Sequence, residues 1–537
     1  MANVTPMFPL ISPAAVRARL LAREETALLD LREEDPFAQQ HPLWAANLPL
    51  TRLELDAWRR IPRRDTLLVL YGEHAGQDLA PLAAARLVAL GYTQVHLLDG
   101  GLAGWLASGG EVFRDVNVPS KSFGELVEHE RHTPSLPAQE VLALIDAGAD
   151  AVILDARRFD EYQTMNIPGS TSVPGAELVL RARALAPDPT TRIIVNCAGR
   201  TRSIIGTQSL VNAGLPNPVA ALRNGTIGWT LAGQTLEQGA ARRAPADIPP
   251  EQLAQARADA RRVAQASGVR WLPLDAIGAL EEPGRTVYRF DVRSPEEYAA
   301  GHLPGFANAP GGQLVQETDH QVPVRGARIV LADGDGVRAA MTASWLAQMG
   351  WDVVVVQDAP AAAFTEQGVP AAAKPPAPAV PLLSPAQLLA QGDNVVVLDV
   401  GAGLAYLKRH IQGAWYAIRA QLEQALQTLP PASGYVLTCP GGELARWAAA
   451  DLRVLLDARG LQTTPVWALE GGNAAAFTAG VARESGESRL AVPRSDRYRR
   501  PYEGTDAPRE AMQAYLEWEF GLVAQLGRDG THNFKVL

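Results

Sequence analysis

An apolar strand that ends in an acidic residue occurs four times in this chain, and this internal repeat limits the fold more than any other feature. In each repeat a second apolar strand follows, and then a helical segment, a β-rich segment and a closing turn. Strands that alternate with helices in this way predict βα units around a parallel sheet. The predicted fold class is therefore α/β, with four tandem three-layer α/β/α domains and a mainly parallel sheet in each. The acidic strand ends are Asp30, Asp155, Asp291 and Asp399, and the second strands are predicted at residues 67–71, 192–196, 328–332 and 435–438.

The spacing of the acidic strand ends gives each repeat the length of one small domain. A chain of 537 residues is also too long to fold around a single core. We predict four domains, called units 1 to 4 below, and a C-terminal tail. Their predicted bounds are 8–113, 133–240, 267–372 and 376–482, with the tail at 483–537.

The connecting segments differ in composition. Residues 114–132 are charged, which predicts a path over the surface. Residues 249–267 begin with two prolines and continue as an Ala-rich amphipathic segment, which predicts a linking helix. Residues 371–381 are rich in Ala and Pro and predict a semi-rigid spacer. The tail contains a helix predicted at 507–526, which either docks on a domain and covers a seam or forms a dimer contact.

Composition narrows the class of partner and the compartment. A net charge of −9 argues against nucleic acid as the main partner. Two cysteines are too few for a disulfide framework and fit a reducing compartment. No apolar run approaches the ~20 residues that a membrane span requires, and residues 1–13 lack the basic and apolar segments of a secretory signal. We therefore expect a cytoplasmic protein without a membrane partner, whose self-association does not follow from the sequence.

Cys197 is the strongest candidate for a reactive side chain. It follows the second strand of unit 2 directly, and a short loop with Gly199, Arg200 and Arg202 leads from it into a helix predicted at 203–213. A helix N-terminus and two guanidinium groups favour the thiolate, so we expect a lowered pKa and a nucleophilic sulfur. The alternative is a buried cysteine that packs as a small apolar residue. A glycine and two arginines in the loop speak against a core position.

The corresponding loops of the other units differ from this pattern. Residues 71–78 of unit 1 and 332–338 of unit 3 contain no thiol, so both units are predicted to be inactive. Unit 4 carries Cys439 in the same place, but Leu444 and Ala445 replace the Arg and Ser of unit 2, and Glu443 adds a negative charge. A neighbouring carboxylate raises the pKa of a thiol and repels an anionic substrate. Cys439 is therefore a candidate second thiol in a degenerate unit.

Unit 2 carries three short motifs, which are Asp155-Ala156-Arg157, Glu161-Tyr162 with Ile167-Pro168-Gly169-Ser170, and the loop from Cys197 to Ser203. Together these motifs resemble those of the rhodanese superfamily, the sulfurtransferases that pass sulfane sulfur through a cysteine persulfide. Unit 3 repeats the first two motifs closely. Unit 1 keeps the closing turn at 98–101 and resembles the inactive domains of tandem rhodaneses, and unit 4 departs most, with Gly401 in place of an arginine.

The resemblance implies a thiosulfate sulfurtransferase-like enzyme with ping-pong kinetics. The Cys197 thiolate attacks the outer sulfur of an anionic donor, and a thiol or cyanide then takes the sulfur from the persulfide. Arg200 and Arg202 are expected to supply positive charge, and the backbone N–H groups of Ala198, Gly199, Arg200, Thr201, Arg202 and Ser203 a nest for the anion. No metal-ligand cluster, phosphate loop or dinucleotide fingerprint occurs in the sequence, so we expect no cofactor and no metal.

Four further residues have two readings each. Asp155 and Arg157 either hold loops together as an ion pair or contact the substrate. Trp229 either packs in the core or forms a wall of the pocket. Ser203 either caps the helix or turns its hydroxyl to the persulfide.

Several readings of the whole chain stay open. One of them is a cysteine phosphatase. Cysteine phosphatases of a related fold have five residues between Cys and Arg, whereas this chain has four between Cys197 and Arg202, so the spacing argues against this reading. The repeats could instead form a non-catalytic scaffold, and a site closed by the tail helix or another unit would favour that reading. A sulfur relay from Cys197 to Cys439 is a third hypothesis. Among donors, the two loop arginines favour thiosulfate over 3-mercaptopyruvate and organic persulfides. The degenerate units are predicted to be structural.

Overall fold

The structure is a computed structural model that describes residues 8–74 and 76–537. Four five-stranded sheets follow one another along the chain, and the strands pair in parallel in each. All four sheets have the same spatial order, in which the second strand of the repeat lies at the centre. Helices cover the sheets, so the predicted α/β fold class is confirmed. Residues 1–7 and Ala75 lie outside the described residues. Residues 1–7 belong to the segment 1–13, in which no secretory signal is predicted, and Ala75 belongs to the loop 71–78 of unit 1.

The strands of each sheet follow one another in space from the edge strand that begins the unit to the opposite edge. Unit 1 has Leu10–Ile11, Val95–Leu98, Leu67–Tyr71, Thr26–Asp30 and Ala46–Asn47. Unit 2 has Ser135–Leu136, Val219–Leu222, Arg192–Asn196, Ala151–Asp155 and Thr171–Ser172. Unit 3 has Arg270–Pro273, Asp352–Gln357, Arg328–Ala332, Val287–Asp291 and Ala307–Asn308. Unit 4 has Leu382–Leu383, Val466–Leu469, Tyr435–Thr438, Val396–Asp399 and Trp415–Tyr416.

The α-helices fall into the same units. Unit 1 has Pro13–Ala22, Glu34–Gln39, Leu53–Arg60, Ala80–Ala89 and Gly101–Ala107. Unit 2 has Ala138–Asp146, Phe159–Thr164, Leu178–Leu185, Thr201–Asn212 and Gly225–Leu231. Unit 3 has Pro295–Ala300, Gly311–Gln316, Thr318–Gln321 and Arg338–Gln348. Unit 4 has Pro385–Gln391, Gly403–Lys408, Leu422–Thr428, Glu443–Ala458 and Gly472–Thr478. The connectors and tail supply Val118–Arg131, Pro250–Ala266, Arg509–Phe520 and Leu522–Asp529.

The apolar core is shared between units. Its largest cluster runs through units 1, 2 and 3 and takes in Leu522, Leu526 and Phe534 of the tail. The core of unit 4 forms separate clusters. The central strands are buried almost throughout, as expected for strands with helices on both faces. The tail therefore docks on the domains and covers a seam.

The segment between units 1 and 2 does not follow the predicted surface path. Residues Val118–Arg131 form a helix, and the side chains of Lys121 and Glu125 are almost fully buried. Their charges are tolerated because each is paired, Lys121 with Asp115 at 2.6 Å and Glu125 with Arg200 at 2.7 Å. The tail helix also differs, since it ends at Phe520 and a second helix begins at Leu522.

Candidate active site

Cys197 lies at the C-terminal edge of the central strand of unit 2. The last residue of that strand, Asn196, is in register with Asp155 on the neighbouring strand. The following helix begins at Thr201, two residues before the predicted start. The thiol is free and buried, with 2% of the residue exposed. The location is the edge of a parallel sheet at which ligands bind in this fold class.

The closing turn of unit 2, residues 222–229, is hydrogen-bonded to the loop from Cys197 to Ser203, called the cysteine loop below. The Thr226 N–H donates to the carbonyl oxygen of Cys197 at 2.9 Å, and the Ile227 N–H donates to that of Ala198 at 3.0 Å. Gly225 has φ +55°, and a Cβ built on it would lie 2.3 Å from the Cys197 carbonyl oxygen. Only glycine fits there. No role for Gly225 was predicted from the sequence, although unit 4 repeats the arrangement at Gly472.

The two loop arginines are paired with carboxylates. Arg202 donates to Glu161 at 2.6 and 3.0 Å. Burial alone would raise the pKa of Glu161, but Arg202 and two further arginines hold that pKa at about 2. Arg200 donates to Glu125 at 2.7 and 2.9 Å and also to Glu128. These carboxylates therefore offset the positive charge that Arg200 and Arg202 were expected to supply.

The pKa of the Cys197 thiol is shifted upward, opposite to the expectation from the sequence. Burial raises this pKa, because the anion loses its hydration, and the Arg202 charge and a hydrogen bond to Ser203 offset only part of the effect. Ser203 is not the helix cap, since Arg200 occupies that position. The thiol donates to the Ser203 hydroxyl at 3.4 Å, and that hydroxyl donates to the Arg200 carbonyl at 2.8 Å. Ser203 therefore faces the sulfur.

The remaining predicted residues lie around the loop in different roles. Arg157 binds Asp155 through Nε and Nη2, at 2.9 and 2.7 Å, and both side chains are buried. Thr201 packs against Gly124 of the connecting helix. Trp229 lies in an apolar cluster with Ile153, Ile194 and Leu222 and donates to the Thr235 carbonyl at 2.9 Å. The core reading of Trp229 therefore replaces the pocket-wall reading.

The tail covers the cysteine loop. Ala198 packs in one apolar cluster with Tyr502, Met512, Tyr515 and Leu516. A Cβ built on Gly199 would lie 3.2 Å from Cε1 of Tyr515. A site closed by the tail favours a scaffold, so the geometry alone does not distinguish a scaffold from an enzyme.

Comparison with known proteins decides between these classes. The family model of the rhodanese-like domain matches residues 12–108, 137–232 and 276–359, which fall within units 1, 2 and 3. The chain belongs to the rhodanese-like family. A crystal structure titled thiosulfate sulfurtransferase, from Pseudomonas aeruginosa, is 61% identical and covers 98% of this chain and 100% of that one, with a TM-score of 0.95. A thiosulfate sulfurtransferase of Azotobacter vinelandii is 29% identical over 213 residues, 36% of this chain and 77% of that protein.

These similarities confirm that the chain is a rhodanese-type transferase and support sulfurtransferase activity. Within residues 8–74 and 76–537, no group of three or more His, Cys, Asp or Glu side chains could hold a metal ion. No helix in that part of the chain is long and apolar enough to cross a membrane.

A cavity of about 410 Å³ is lined by residues of unit 2, unit 3 and the tail. Unit 2 contributes Arg157, Arg158 and Glu161 to its walls, and the tail contributes Arg500 and Tyr502. Because Glu161 is also the partner of Arg202, this cavity reaches the charged side of the cysteine loop. Its walls combine several guanidinium groups with carboxylates, so they carry charges of both signs.

Cys439 lies in a comparable loop of unit 4, apart from the Cys197 site. Its thiol is free, and burial raises its pKa, although the backbone N–H groups of Ala445, Gly442 and Leu444 act in the opposite direction. The Asp399 carboxylate accepts from Asn473 at 2.7 Å and from the Gly401 N–H at 2.9 Å, and no arginine among the described residues pairs with it. Glu443 is bound to Lys374 at 2.6 Å.

Proposed function

We propose that this protein moves sulfane sulfur from an anionic donor, thiosulfate in the first place, to a thiol or cyanide acceptor through a persulfide on Cys197. One observation carries the proposal. A free thiol stands at the C-terminal edge of the central strand of unit 2, in a chain that is 61% identical to a protein titled thiosulfate sulfurtransferase. The thiosulfate preference rests on that similarity, because the paired arginines no longer support it.

In the first half-reaction the Cys197 thiolate attacks the outer sulfur of thiosulfate. The sulfur–sulfur bond of the donor breaks, and sulfite leaves with the bonding electron pair, so Cys197 becomes a persulfide. The Ser203 hydroxyl lies 3.4 Å from the sulfur and can donate to the thiolate after the proton has left. The Arg202 charge also lowers the pKa of the thiol, although Glu161 shares that charge.

In the second half-reaction an acceptor thiolate attacks the outer sulfur of the persulfide. The bond between the two sulfurs of the persulfide breaks, and Cys197 leaves as a thiolate, ready for a new donor. With cyanide the product is thiocyanate. Donor and acceptor use the same site in turn, so ping-pong kinetics follow. Units 1, 3 and 4 have a structural role in this proposal, and the partners are small molecules in the cytoplasm.

The test is the mass of the intact protein after incubation with thiosulfate, for the wild type, Cys197→Ala and Cys439→Ala. We expect a gain of one sulfur, about 32 Da, that dithiothreitol removes. The gain should be absent in Cys197→Ala and present in Cys439→Ala. A gain lost only in Cys439→Ala would move the site to unit 4.

The same measurement with 3-mercaptopyruvate and glutathione persulfide separates the donor classes. A labile adduct with one of these and none with thiosulfate would keep the persulfide mechanism and replace the donor. No adduct with any of the three would contradict the proposed persulfide mechanism on Cys197.

A further inference from the structure

Glu519 of the tail is an acidic group that lies against the cysteine loop at Gly199. It lies near the end of the helix Arg509–Phe520 and is fully buried. Its Oε1 accepts from the Tyr515 hydroxyl at 2.8 Å. Its Oε2 is buried and has no hydrogen-bond partner among the described residues. A Cβ built on Gly199 would lie 3.4 Å from Oε2, so this unpartnered oxygen faces the loop.

The absence of a side chain at Gly199 is what allows this approach. Tyr515 and Glu519 stand over Gly199 together and form a roof above the loop that carries Cys197. A buried polar atom without a partner in a native protein calls for an explanation, and a ligand that supplies the missing hydrogen bond is one of them. The anionic donor of the proposed reaction carries oxygens that can fill this place.

The surroundings decide the charge of the Glu519 carboxyl. The connecting helix faces it with Lys121 and Glu125, the cysteine loop with Arg200 and Cys197, and its own helix with Tyr515. Both cations are bound elsewhere, Lys121 to Asp115 and Arg200 to Glu125 and Glu128. Burial and the Glu125 charge raise the pKa of Glu519 to about 8, although Lys121, Tyr515 and Arg200 act against them. At pH 7 the carboxyl is therefore mainly protonated and can donate a hydrogen bond.

We propose that Glu519 is a specificity-determining residue, whose protonated carboxyl donates to an oxygen of the anionic sulfur donor above Gly199 and whose ionised form excludes that donor. The inference rests on the proposed function and deepens it. No proton changes hands in this step, because sulfite leaves as an anion and the carboxyl keeps its hydrogen. The tail therefore takes part in binding the donor.

The first test is the pH profile of persulfide formation from thiosulfate, with each rate divided by the thiolate fraction of Cys197. A carboxyl with a pKa of about 8 is roughly one-tenth protonated at pH 9. The normalised rate of the wild type should therefore fall about tenfold between pH 7 and pH 9. Glu519→Gln keeps a hydrogen-bond donor and cannot ionise, so its profile should stay flat.

Two further variants of the same helix sharpen this test. Tyr515→Phe removes a hydrogen bond that lowers the pKa of Glu519, so the fall should move to higher pH. Glu517→Gln changes an exposed carboxylate and should reproduce the wild-type profile. A fall of equal size in the wild type and Glu519→Gln would overturn the proposal, as would a wild-type profile without a fall.

A second readout does not depend on sulfur transfer. The Glu519 charge raises the pKa of the Cys197 thiol, so Glu519→Gln should lower that pKa. Absorbance of the thiolate near 240 nm, taken as the difference between Cys439→Ala and the variant that also carries Cys197→Ala, follows the titration. An unchanged thiol titration in Glu519→Gln would also overturn the proposal. If the wild type takes up no sulfur while this titration shifts, the proposed function fails and the electrostatic coupling of Glu519 to Cys197 stands.

Discussion

The loops of units 2 and 3 differ by the residue that follows the central strand. Asn196 is in register with Asp155 and is followed by Cys197, whereas Ala332 is in register with Asp291 and is followed by Asp333. The arginine of the loop is common to both units. Arg338 donates to Glu297 at 2.6 and 2.7 Å, as Arg202 does to Glu161. Because this arginine–glutamate pair also occurs in a unit without a thiol, its role is to stabilise the loop. The chemistry depends on the residue at the first position of the loop, which is Cys197 in unit 2 and Asp333 in unit 3.

The loop of unit 3 surrounds a carboxyl group of its own, that of Asp333. The Asp333 carboxylate accepts from the N–H groups of Gly336 and Ala339 at 2.8 and 2.7 Å. These two residues correspond to Arg200 and Ser203 when the loops are aligned from the strand ends. The comparison indicates that a loop of this shape presents N–H groups to a hydrogen-bond acceptor at its first position. In unit 2 the sulfur of Cys197 occupies that position.

The third position of the loop separates the units further. Asp335 of unit 3 accepts from the N–H groups of Val337 and Arg338 at 2.8 and 3.0 Å. Gly199 stands there in unit 2, and Tyr515 and Glu519 of the tail occupy the space above it. In unit 3 the loop N–H groups bind the carboxylates of Asp333 and Asp335 from the same loop. In unit 2 Gly199 has no side chain, and Tyr515 and Glu519 of the tail cover the loop instead.

The largest expected effect comes from Cys197→Asp, which gives unit 2 the residue of unit 3. Sulfur uptake should be lost completely, because a carboxylate is no nucleophile for this reaction. The unfolding midpoint should stay within about 2 °C of that of Cys197→Ser, since the loop N–H groups can hold the carboxylate as they hold Asp333. Intact mass and thermal unfolding measure the two effects. A midpoint many degrees lower in Cys197→Asp would show that the loops are not equivalent.

A smaller effect is expected when the closing turn is pushed against the loop. In Gly225→Ala the new Cβ would lie 2.3 Å from the Cys197 carbonyl oxygen, so the loop must shift. A displacement of about 1 Å at a reacting group can reduce a rate by about 100-fold, and we expect a loss of that order in persulfide formation.

Gly472→Ala is the matched control for that variant. Its Cβ would lie 2.2 Å from the Cys439 carbonyl oxygen in unit 4, which is the same clash in the other cysteine loop. We expect a similar loss of stability and no change in the rate of sulfur uptake. If Gly472→Ala slowed uptake as much as Gly225→Ala, the assignment of the chemistry to unit 2 would have to be withdrawn.

The predicted central strands agree with the structure at both ends, as in Arg192–Asn196 and Arg328–Ala332. They could be predicted because a strand buried on both faces reads as a continuous apolar run. The repeat of an acidic strand end likewise identified the sheet edge at which Cys197 lies.

The charges of the site could not be predicted in the same way. Arg200 looks like a free cation in the loop, and its partner Glu125 is 75 residues away in a segment expected on the surface. Glu519 is separated from Cys197 by more than 300 residues of sequence. Local composition carries no information about such partners, and the pKa of a thiol depends on their sum together with burial.

The smallest expected effect concerns the arginine–glutamate pair that both loops share. The pKa values of Glu161 and Glu297 are held at about 2, although burial alone would raise them. A carboxylate with a depressed pKa in the folded state stabilises the protein above its unfolded pKa, and the contribution is lost as the pH falls through the folded pKa. Glu161→Gln should therefore lower the free energy of unfolding by about 2 kcal/mol at pH 7, and Glu297→Gln by about 1 kcal/mol because its side chain is more exposed.

Denaturant unfolding at pH 7, 4 and 3 measures both penalties, and each should shrink by about half at pH 3. Equal, pH-independent penalties would show that Gln replaces Glu as a hydrogen-bond acceptor and that charge contributes nothing to the loop. A penalty at Glu161 alone would instead mean that the ion pair stabilises the protein only in unit 2, where Tyr515 and Glu519 of the tail cover the loop.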